Sequence, residues 1–319
     1  MKVAVIHDWN VDLEQEATWC DGLAAAINIL GKKHEVRFFA GYGTEMELKG
    51  TYFPIYLTPE DKIVERVKEY APDVILHWAD FSRPTAQPMR ELGIPMAICF
   101  AGGEAVNYNT PYFDHIFVES KVYMDKLNSA GYDNVSIAFG TNTELFKPIP
   151  TQAKIFDAMM AGTFAIWKRY NLFAGATKDM LACAVGYMYP DSWEKECYED
   201  CEKAGDLVLP HVSAQALHRL YAASKCVVIP SRSDGGSQRT VLEAMAMNVP
   251  LIVTDSDKFD YVRGQRVFVA DPTVESIRGY IEAILDGGTE VNTRDYVVEN
   301  WSEYNYAYAL EKGLESLLK

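Results

Sequence analysis

The stretch PSRSDGGSQRTVLEAMAMNVPLIVTD, residues 230–255, carries most of the information about the fold. It follows the apolar run Cys226–Ile229 and contains a glycine-rich loop, a segment of helical periodicity and a second apolar run, Pro250–Thr254. This order predicts a strand, a loop, a helix and a parallel strand, which together form one βαβ unit. Free backbone N–H groups at the start of the helix, and the helix dipole, favour a bound phosphate or diphosphate there.

The residues of this loop have separate expected roles. Gly235 and Gly236 lack a Cβ and allow a ligand to approach the backbone closely. Glu243 lies about one turn into the helix, and its carboxylate can accept two hydrogen bonds from a vicinal diol such as that of a ribose. The amides expected to bind the diphosphate belong to Gly236, Ser237, Gln238, Arg239 and Thr240.

Apolar runs alternate with helical patterns along the rest of the chain as well, which predicts two successive Rossmann-like α/β domains. The predicted strands are Val3–Ile6, His34–Phe39, Asp73–His77, Pro95–Phe100, His115–Glu119, Val135–Ala138, Cys226–Ile229, Pro250–Thr254 and Val267–Ala270. The predicted helices are Thr18–Leu30, Asp61–Tyr70, Lys121–Ala130, Tyr170–Lys178, Ala214–Ala223, Val274–Leu285 and Ser302–Leu318. The proline-rich segment Lys147–Pro150 is the predicted linker, which gives domains at 1–149 and 150–299. Ligands of such sheets bind beyond the carboxyl ends of the strands, so we expect the site in the cleft between the domains.

The charge and the apolar runs of the chain disfavour nucleic-acid-binding and membrane-spanning classes of protein. The 319 residues include 30 Lys and Arg against 45 Asp and Glu, a formal net charge of −15, and 49% are hydrophobic. This acidity disfavours nonspecific binding of nucleic acid, which depends on many basic contacts. No apolar run approaches the ~20 residues of a membrane span, and MKVAVIHDW at the N-terminus is typical of a strand and not of a secretory signal. We therefore expect a cytoplasmic protein without integral membrane contact.

The six cysteines do not have zinc-site spacing. Cys197 and Cys201 would share a helix face, but no neighbouring Cys or His completes a ligand set. The expectation is reduced and mostly buried thiols.

Taken with its flanks, the stretch 230–255 resembles the second domain of GT-B glycosyltransferases, specifically the large retaining group, family four, that contains sucrose and glycogen synthase-like enzymes. The usual pattern there is PS, then E-G-x-G-x-x-x-x-E-A-M-A-x-G-x-P-V-V-x-T-D. Three further segments are similar in order and spacing: FGTNTELFKP at 139–148, GTFAIWKR at 162–169 and HVSAQALHRLY at 211–221. The resemblance extends over essentially the whole chain and is stronger in its second half. It implies the GT-B fold and a nucleoside diphosphate sugar, UDP-linked by preference.

The family has two acids eight positions apart, and here the position eight before Glu243 is Gly235. Asp234 is one residue early and one methylene shorter. Since the first acid of the family holds hydroxyls of the donor sugar, the resemblance implies this role for Asp234.

The segment 162–169 also departs from the family pattern. Thr163 replaces an arginine, whereas Lys168 matches the family's lysine and Arg169 adds a second cation. Two cations near the diphosphate would stabilise the negative charge that develops on the leaving group. Lys168, Arg169 and Asp234 are therefore the candidate catalytic residues.

In the first domain, Ala101 occupies the position where the family often has a histidine, so a general base is absent there. Retaining enzymes of this group are thought to react on the front face of the donor with assistance from the diphosphate, so this loss is compatible with activity. Gly102, Gly103 and Glu104, with Asn107, would line the cleft, although the glycines are also ordinary turn residues.

Two further strand ends carry polar side chains that we assign to the acceptor side of the cleft. His7 and Asp8 end the first strand, and His77 and Asp80 end a later one, with Arg83 close by. A structural role for each histidine is the alternative.

The sequence Asp255-Ser256-Asp257 has the spacing of the metal signature in the other glycosyltransferase fold. Here it follows a strand where GT-B members have Thr-Asp, so we interpret it as a strand exit and expect no metal. Trp301 and the helix after it, within 300–319, resemble the family's closing helix, which crosses back to the first domain.

The favoured hypothesis is a retaining, metal-independent glycosyltransferase without a separate cofactor. A saccharide or small molecule is the favoured acceptor. A modified DNA base is a weaker candidate, supported only by scattered basic residues, namely Lys62, Arg66, Lys68, Arg83 and Lys121. Two alternatives stay open: a sugar-nucleotide 2-epimerase, and a non-catalytic nucleotide-sugar binding protein suggested by Thr163, Ala101 and the displaced acid.

Overall fold

The computed structural model describes residues 1–10, 19–79, 85–100, 106–107, 109–187, 192–232, 238–254, 262, 264–287 and 290–319. Of residues 8–10, 79 and 192–194 it describes the backbone only. The chain divides into two compact units, the first formed by Met1–Asn142 with Trp301–Lys319 and the second by Thr143–Asn300.

The first unit contains a sheet of eight strands in the order β3-β4-β2-β1-β5-β6-β7-β8, in which β3 pairs antiparallel to β4 and the other pairs are parallel. The strands are β1 (Lys2–Asn10), β2 (Glu35–Gly41), β3 (Met46–Lys49), β4 (Pro54–Thr58), β5 (Val74–Ala79), β6 (Met96–Phe100), β7 (His115–Val118) and β8 (Val135–Ile137). The helices are α1 (Gly22–Gly31), α2 (Ile63–Tyr70), α3 (Ala86–Arg90), α4 (Lys121–Ser129) and α11 (Glu303–Ser316).

This first sheet is buried on both faces, as the sequence of its central strand requires. Val3 and Val5 of β1 belong to an apolar cluster with α1 and α11, whereas Ala4 and Ile6 belong to a cluster with α2 and α4. Successive side chains of a strand point to opposite faces, so an uninterrupted apolar run is suited to a strand between two helical layers.

Helix α1 begins at Gly22, four residues later than the sequence predicted, because Asp21 is its N-cap. The Asp21 carboxylate accepts a hydrogen bond from the Ala24 amide at 3.0 Å. Gly22 also lies against the backbone of Gly140, where a Cβ would come within 2.1 Å of the carbonyl oxygen. Only glycine allows this close approach.

The C-terminal segment packs within the first unit. The Thr141 amide donates to the carbonyl of Trp301, and Ser302 caps α11 by accepting from the Asn305 amide. Further along, Glu311 accepts from Lys33 and pairs with the His34 ring, both at 2.8 Å. Together these contacts attach α11 to the elements at the start of the chain.

The second unit contains a parallel sheet of six strands in the order β11-β10-β9-β12-β13-β14. The strands are β9 (Phe156–Ala161), β10 (Ala182–Val185), β11 (Leu207–Leu209), β12 (Ser224–Ile229), β13 (Leu251–Thr254) and β14 (Phe268–Ala270). The helices are α5 (Tyr170–Thr177), α6 (Ser192–Ala204), α7 (Ala214–Ala222), α8 (Arg239–Ala246), α9 (Val274–Gly287) and α10 (Arg294–Asn300). Numbered within the unit, this is the 3-2-1-4-5-6 order of the Rossmann fold.

All six cysteines, Cys20, Cys99, Cys183, Cys197, Cys201 and Cys226, are free and buried, as expected from the sequence. Burial is the main cause that raises the pKa of the Cys226 thiol to about 12. Such thiols stay protonated near neutral pH and behave as small apolar side chains.

Candidate functional site

The strand order of the second sheet reverses between β9 and β12, and this is the point at which open α/β sheets bind ligands. The loops that leave these two strands are joined by their backbones. The Arg232 amide, after β12, donates to the Trp167 carbonyl, after β9, at 2.7 Å. At the start of the β9 loop, Gly162 lies so close to Gly186 that a Cβ on Gly186 would be 1.6 Å from its carbonyl oxygen. The loop after β9 is therefore closely held against its neighbours.

Lys168 lies in this loop, and its ammonium group reaches the start of α8. The Nζ atom donates to Oε1 of Gln238, the N-cap residue of α8, which is buried. The contact places a cation next to backbone N–H groups that already favour an anion. Arg169 follows in the left-handed region, with φ 57° and ψ 48°, and is the N-cap residue of α5. A non-glycine residue in this region is strained, and such strain is frequent at functional sites.

Three hydroxyl oxygens on the elements of this edge have no hydrogen-bond partner within the part of the chain that the structure describes. They belong to Ser231 just after β12, Thr254 at the end of β13 and Thr240 in the first turn of α8. Ser231 and Thr254 are each only 1% exposed. Since an unsatisfied buried hydroxyl costs about 1–3 kcal/mol, these groups are suited to donate to a polar ligand.

Glu243 points its carboxylate into a buried position on α8. The residue is 4% exposed, and Oε2 accepts a hydrogen bond of 3.0 Å from the Tyr221 hydroxyl. Burial, and then the neighbouring carboxylate, raise the pKa of Tyr221 well above its usual range, so this hydroxyl stays protonated and keeps donating. Tyr221 thereby fixes the orientation of the carboxylate.

The corresponding reversal in the first sheet lies between β1 and β5, and aromatic side chains surround it. The ring of His7, three residues before the end of β1, lies tilted against Trp78 of β5 with ring centroids 4.5 Å apart, and Trp78 stacks on Trp19 at 5.0 Å. Phe38 and Phe53 complete this group, which we call the aromatic cluster. The cluster is apolar apart from the histidine ring and the indole N–H groups.

Residues 159–286, less than half of the chain and all within the second unit, match the sequence model of the family described as glycosyl transferases group 1. No curated protein matches the sequence.

Solved structures resemble the chain over its entire length. A sucrose-phosphate synthase from Thermosynechococcus elongatus has a TM-score of 0.76 at 13% identity, covering 99% of this chain and 98% of that one. HepE from Anabaena, in complex with UDP and glucose, has a TM-score of 0.73 at 14% identity, covering 99% and 100%. A glycosyltransferase from Rickettsia africae has a TM-score of 0.72 at 15% identity, covering 100% and 99%. The chain has the GT-B fold.

Within this GT-B chain, the structure brings some of the predicted donor residues together. Lys168 and Gln238 are in contact, and Thr240 and Glu243 follow on the same helix α8. The predicted residues Asp234, Gly235, Gly236 and Ser237 lie outside the described residues. Arg239 is the first residue of α8, next to Gln238.

Sequence reasoning missed three residues of this site. Tyr221 ends the segment 211–221, and Ser231 and Thr254 stand at strand ends inside the stretch 230–255. For Ser231 and Thr254 the position at the carboxyl edge was a usable signal, because side chains at the ends of parallel strands converge at one edge of the sheet.

The predicted acceptor residues of the first unit differ from one another in burial and in their neighbours. His77 is completely buried and its ring lies against Phe113 on the face of β5 opposite to Trp78. The structure therefore makes His77 a core residue, contrary to the predicted acceptor-side role, whereas His7, 7% exposed, belongs to the aromatic cluster. The side chain of Asp8, and residues Asp80, Gly102, Gly103 and Glu104, lie outside the described part.

In the segments that the structure describes, no helix combines the length and the apolar character required to cross a membrane.

Proposed function

We propose that the chain is a retaining glycosyltransferase that moves a sugar from a nucleoside diphosphate sugar, UDP-linked by preference, to an acceptor hydroxyl. The observation that carries the proposal is the group formed by Lys168, Gln238 and Glu243 at the strand-order reversal of the second sheet. The family match over residues 159–286 and the complexes of HepE with UDP, UDP-glucose, and UDP and glucose support the choice of donor.

In this proposal each described residue contacts a defined part of the donor. Glu243, oriented by Tyr221, accepts hydrogen bonds from the ribose hydroxyls. The amides at the start of α8 and the Thr240 hydroxyl bind the diphosphate. Lys168 exchanges the neutral amide oxygen of Gln238 for a phosphate oxygen, because an anionic acceptor attracts the ammonium group more strongly than a neutral one does.

The transfer breaks the bond between the sugar C1 and the diphosphate oxygen and forms a bond between C1 and the acceptor oxygen. The acceptor proton passes to the departing diphosphate on the same face, which retains the anomeric configuration. Lys168, with Arg169 as the second cation, stabilises the charge that develops on the diphosphate, and this replaces a metal ion in the reaction. For Asp234 we propose contact with hydroxyls of the donor sugar, as the family resemblance implies.

A saccharide or small-molecule acceptor is favoured over DNA by the ion pairs of the basic residues on the first unit. Arg66 pairs with both Glu45 and Glu69, and Lys121 pairs with Asp125. These cations are therefore already neutralised by neighbouring carboxylates and contribute little to binding a phosphate backbone.

Isothermal titration calorimetry with UDP and GDP tests the donor site. We expect UDP to bind the wild-type chain and Glu243→Ala to weaken binding by about 10–100-fold, since hydrogen bonds to a charged group contribute about 1.5–3 kcal/mol. Glu275→Ala, which removes an exposed carboxylate at the start of α9, is the matched control. Absence of UDP binding, or equal affinity in Glu243→Ala, would remove the proposed role of this site.

A second measurement separates transfer from the alternatives. The protein is incubated with UDP-glucose, first alone and then with a panel of saccharides, and the products are followed by NMR. Transfer to a saccharide with the anomeric configuration of the donor supports the proposal. Interconversion of the UDP-sugar alone indicates an epimerase, and binding without any conversion indicates a non-catalytic protein.

A further inference from the structure

A cavity of about 620 Å³ lies in the second unit at the edge of the sheet opposite to the donor site. Its wall includes Lys154, two residues before β9, Lys225 at the start of β12 and Pro250 just before β13. Arg266, two residues before β14, completes this side of the wall. Because these strands are parallel, their starting residues all lie at the amino edge of the sheet, and we call this space the amino-edge cavity.

The charge of the amino-edge cavity is opposite to that of the chain as a whole. Among the described residues, three cations, Lys154, Lys225 and Arg266, line it together with a single carboxylate, that of Glu290. The chain carries a formal net charge of −15. A concentration of positive charge in an acidic protein raises the local concentration of anions.

Two of these cations have no carboxylate partner within the described segments. Lys225 pairs with Asp157 at 2.8 Å, but Lys154 donates to the neutral Ser224 carbonyl at 2.8 Å, and Arg266 forms no ion pair there. Lys154 is partly buried, and this burial lowers the pKa of its ammonium group. An anion in the cavity would compensate both charges.

The wall also has a fixed neutral donor. Asn248 has φ 52°, and its Oδ1 accepts from the amides of Thr293 at 2.9 Å and Arg294 at 2.8 Å. Since both bonds use the oxygen, the side-chain N–H groups of Asn248 are left for a ligand. The remaining wall is partly apolar, with Ile284, Leu285 and Val291.

We propose that the amino-edge cavity binds a small organic phosphate, with the phosphate held by Lys154, Arg266 and Asn248 and the carbon part lying against Ile284 and Leu285. The volume is within the range of about 300–1,000 Å³ that is typical of small-molecule sites. Phosphate carries up to two negative charges, which match the two cations without carboxylate partners. The site is distinct from the donor site, since the two occupy opposite ends of the same parallel strands.

Calorimetric titration of the full chain at low ionic strength tests this site with three probes that carry no ribose: glucose 6-phosphate, glycerol 3-phosphate and inorganic phosphate. We expect at least one of the organic phosphates to bind, and to bind more tightly than inorganic phosphate. The double variant Lys154→Gln/Arg266→Gln should weaken this binding by at least about tenfold. Lys195→Gln/Lys203→Gln, on the exposed face of α6, is the matched control and should bind like wild type.

Two controls separate loss of the proposed site from misfolding and from binding at the donor site. Thermal unfolding verifies that the double variant is folded. Glu243→Ala should leave the affinity for the organic phosphate unchanged, because Glu243 is at the opposite edge of the sheet. Loss of binding in that variant would place the ligand at the donor site and would overturn the proposal. The proposal would also be overturned if neither organic phosphate bound at about 10 mM, a concentration at which even weak sites are occupied. Unchanged affinity in the double variant, or equal affinity for inorganic phosphate, would also overturn it.

Discussion

Both sheets of this protein have a point where the strand order reverses, and the carboxyl edges at these two points differ in chemistry. In the second unit, the edge between β9 and β12 presents Lys168, Gln238 and Ser231, all of them polar. In the first unit, the edge between β1 and β5 presents His7 and Trp78 within the aromatic cluster.

The difference shows that topology decides where a ligand can bind and that residue type decides which ligand. A cation, unpaired hydroxyls and a helix N-terminus suit a diphosphate. Stacked aromatic rings provide flat apolar surface and few donors, which does not suit an anion. We therefore expect variants at the two edges to separate nucleotide binding from the stability of the first unit.

The largest expected effect is on catalysis at the polar edge. Lys168→Ala should lower kcat/KM for sugar transfer by about 100- to 1,000-fold, because it removes a cation that stabilises the departing diphosphate. Steady-state assays of UDP release measure this effect. Lys178→Ala, at the end of α5, is the matched control, and equal losses in the two variants would remove the special role of Lys168.

At the aromatic edge, the expected effect is on stability. Trp78→Ala should lower the free energy of unfolding by about 3 kcal/mol, because the half-buried ring stacks on Trp19 and contacts the ring of His7. Urea denaturation measures this loss, and calorimetry should give an unchanged affinity for UDP. A large fall in UDP affinity would mean that the two edges do not have the separate roles assigned to them.

A stability effect of similar or smaller size is expected at Asp206, in the second unit but away from its carboxyl edge. Burial raises the pKa of Asp206 to about 6, while the Thr177 hydroxyl donates to it at 3.0 Å. The folded state then binds more protons than the unfolded state, so the free energy of unfolding falls as the pH rises from about 4 to about 6.

Asp206→Asn should remove this pH dependence and stabilise the protein by about 1–3 kcal/mol at pH 8, since the neutral side chain avoids a buried charge. Urea denaturation at pH 4 and pH 8 measures both effects. The prediction is wrong if the variant and the wild type have the same difference in stability at the two pH values.

The smallest expected effect is that of Tyr221→Phe, which removes only the hydroxyl that orients Glu243. We expect about a tenfold loss of UDP affinity, the equivalent of one hydrogen bond to a charged group. Tyr280→Phe, which alters a tyrosine packed on Phe268, should bind UDP like wild type. Unchanged UDP affinity in Tyr221→Phe would mean that Glu243 is oriented by other contacts.

The sequence predicted the elements whose patterns are local. The run Cys226–Ile229 and the stretch 230–255 after it do form β12, α8 and β13, because the apolar runs and the helical periodicity lie within one short segment. The hairpin of β3 and β4 was not predicted, since Met46–Lys49 is largely exposed and has no apolar run. Strand β9 was also missed, as Phe156–Ala161 combines an aspartate with alanine and methionine, which are weak strand formers.

The candidate site was predictable where it depends on the loop and helix and not where it depends on tertiary contacts. Glu243 and Lys168 follow from the sequence pattern, but the bond from Tyr221 to Glu243 joins two helices that are apart in the sequence. His77 illustrates the opposite error. Its strand, VILHWA, is buried on both faces, so the position at a strand end does not reveal which face the histidine occupies or that the ring is enclosed.

A crystal structure of the protein with UDP would locate the ligand relative to both edges. We expect the diphosphate at the start of α8, Lys168 released from Gln238 onto a phosphate oxygen, and both ribose hydroxyls on the Glu243 carboxylate. UDP seated on the aromatic cluster, or a carboxyl edge of the second sheet that stays free of UDP at saturating concentration, would contradict this expectation.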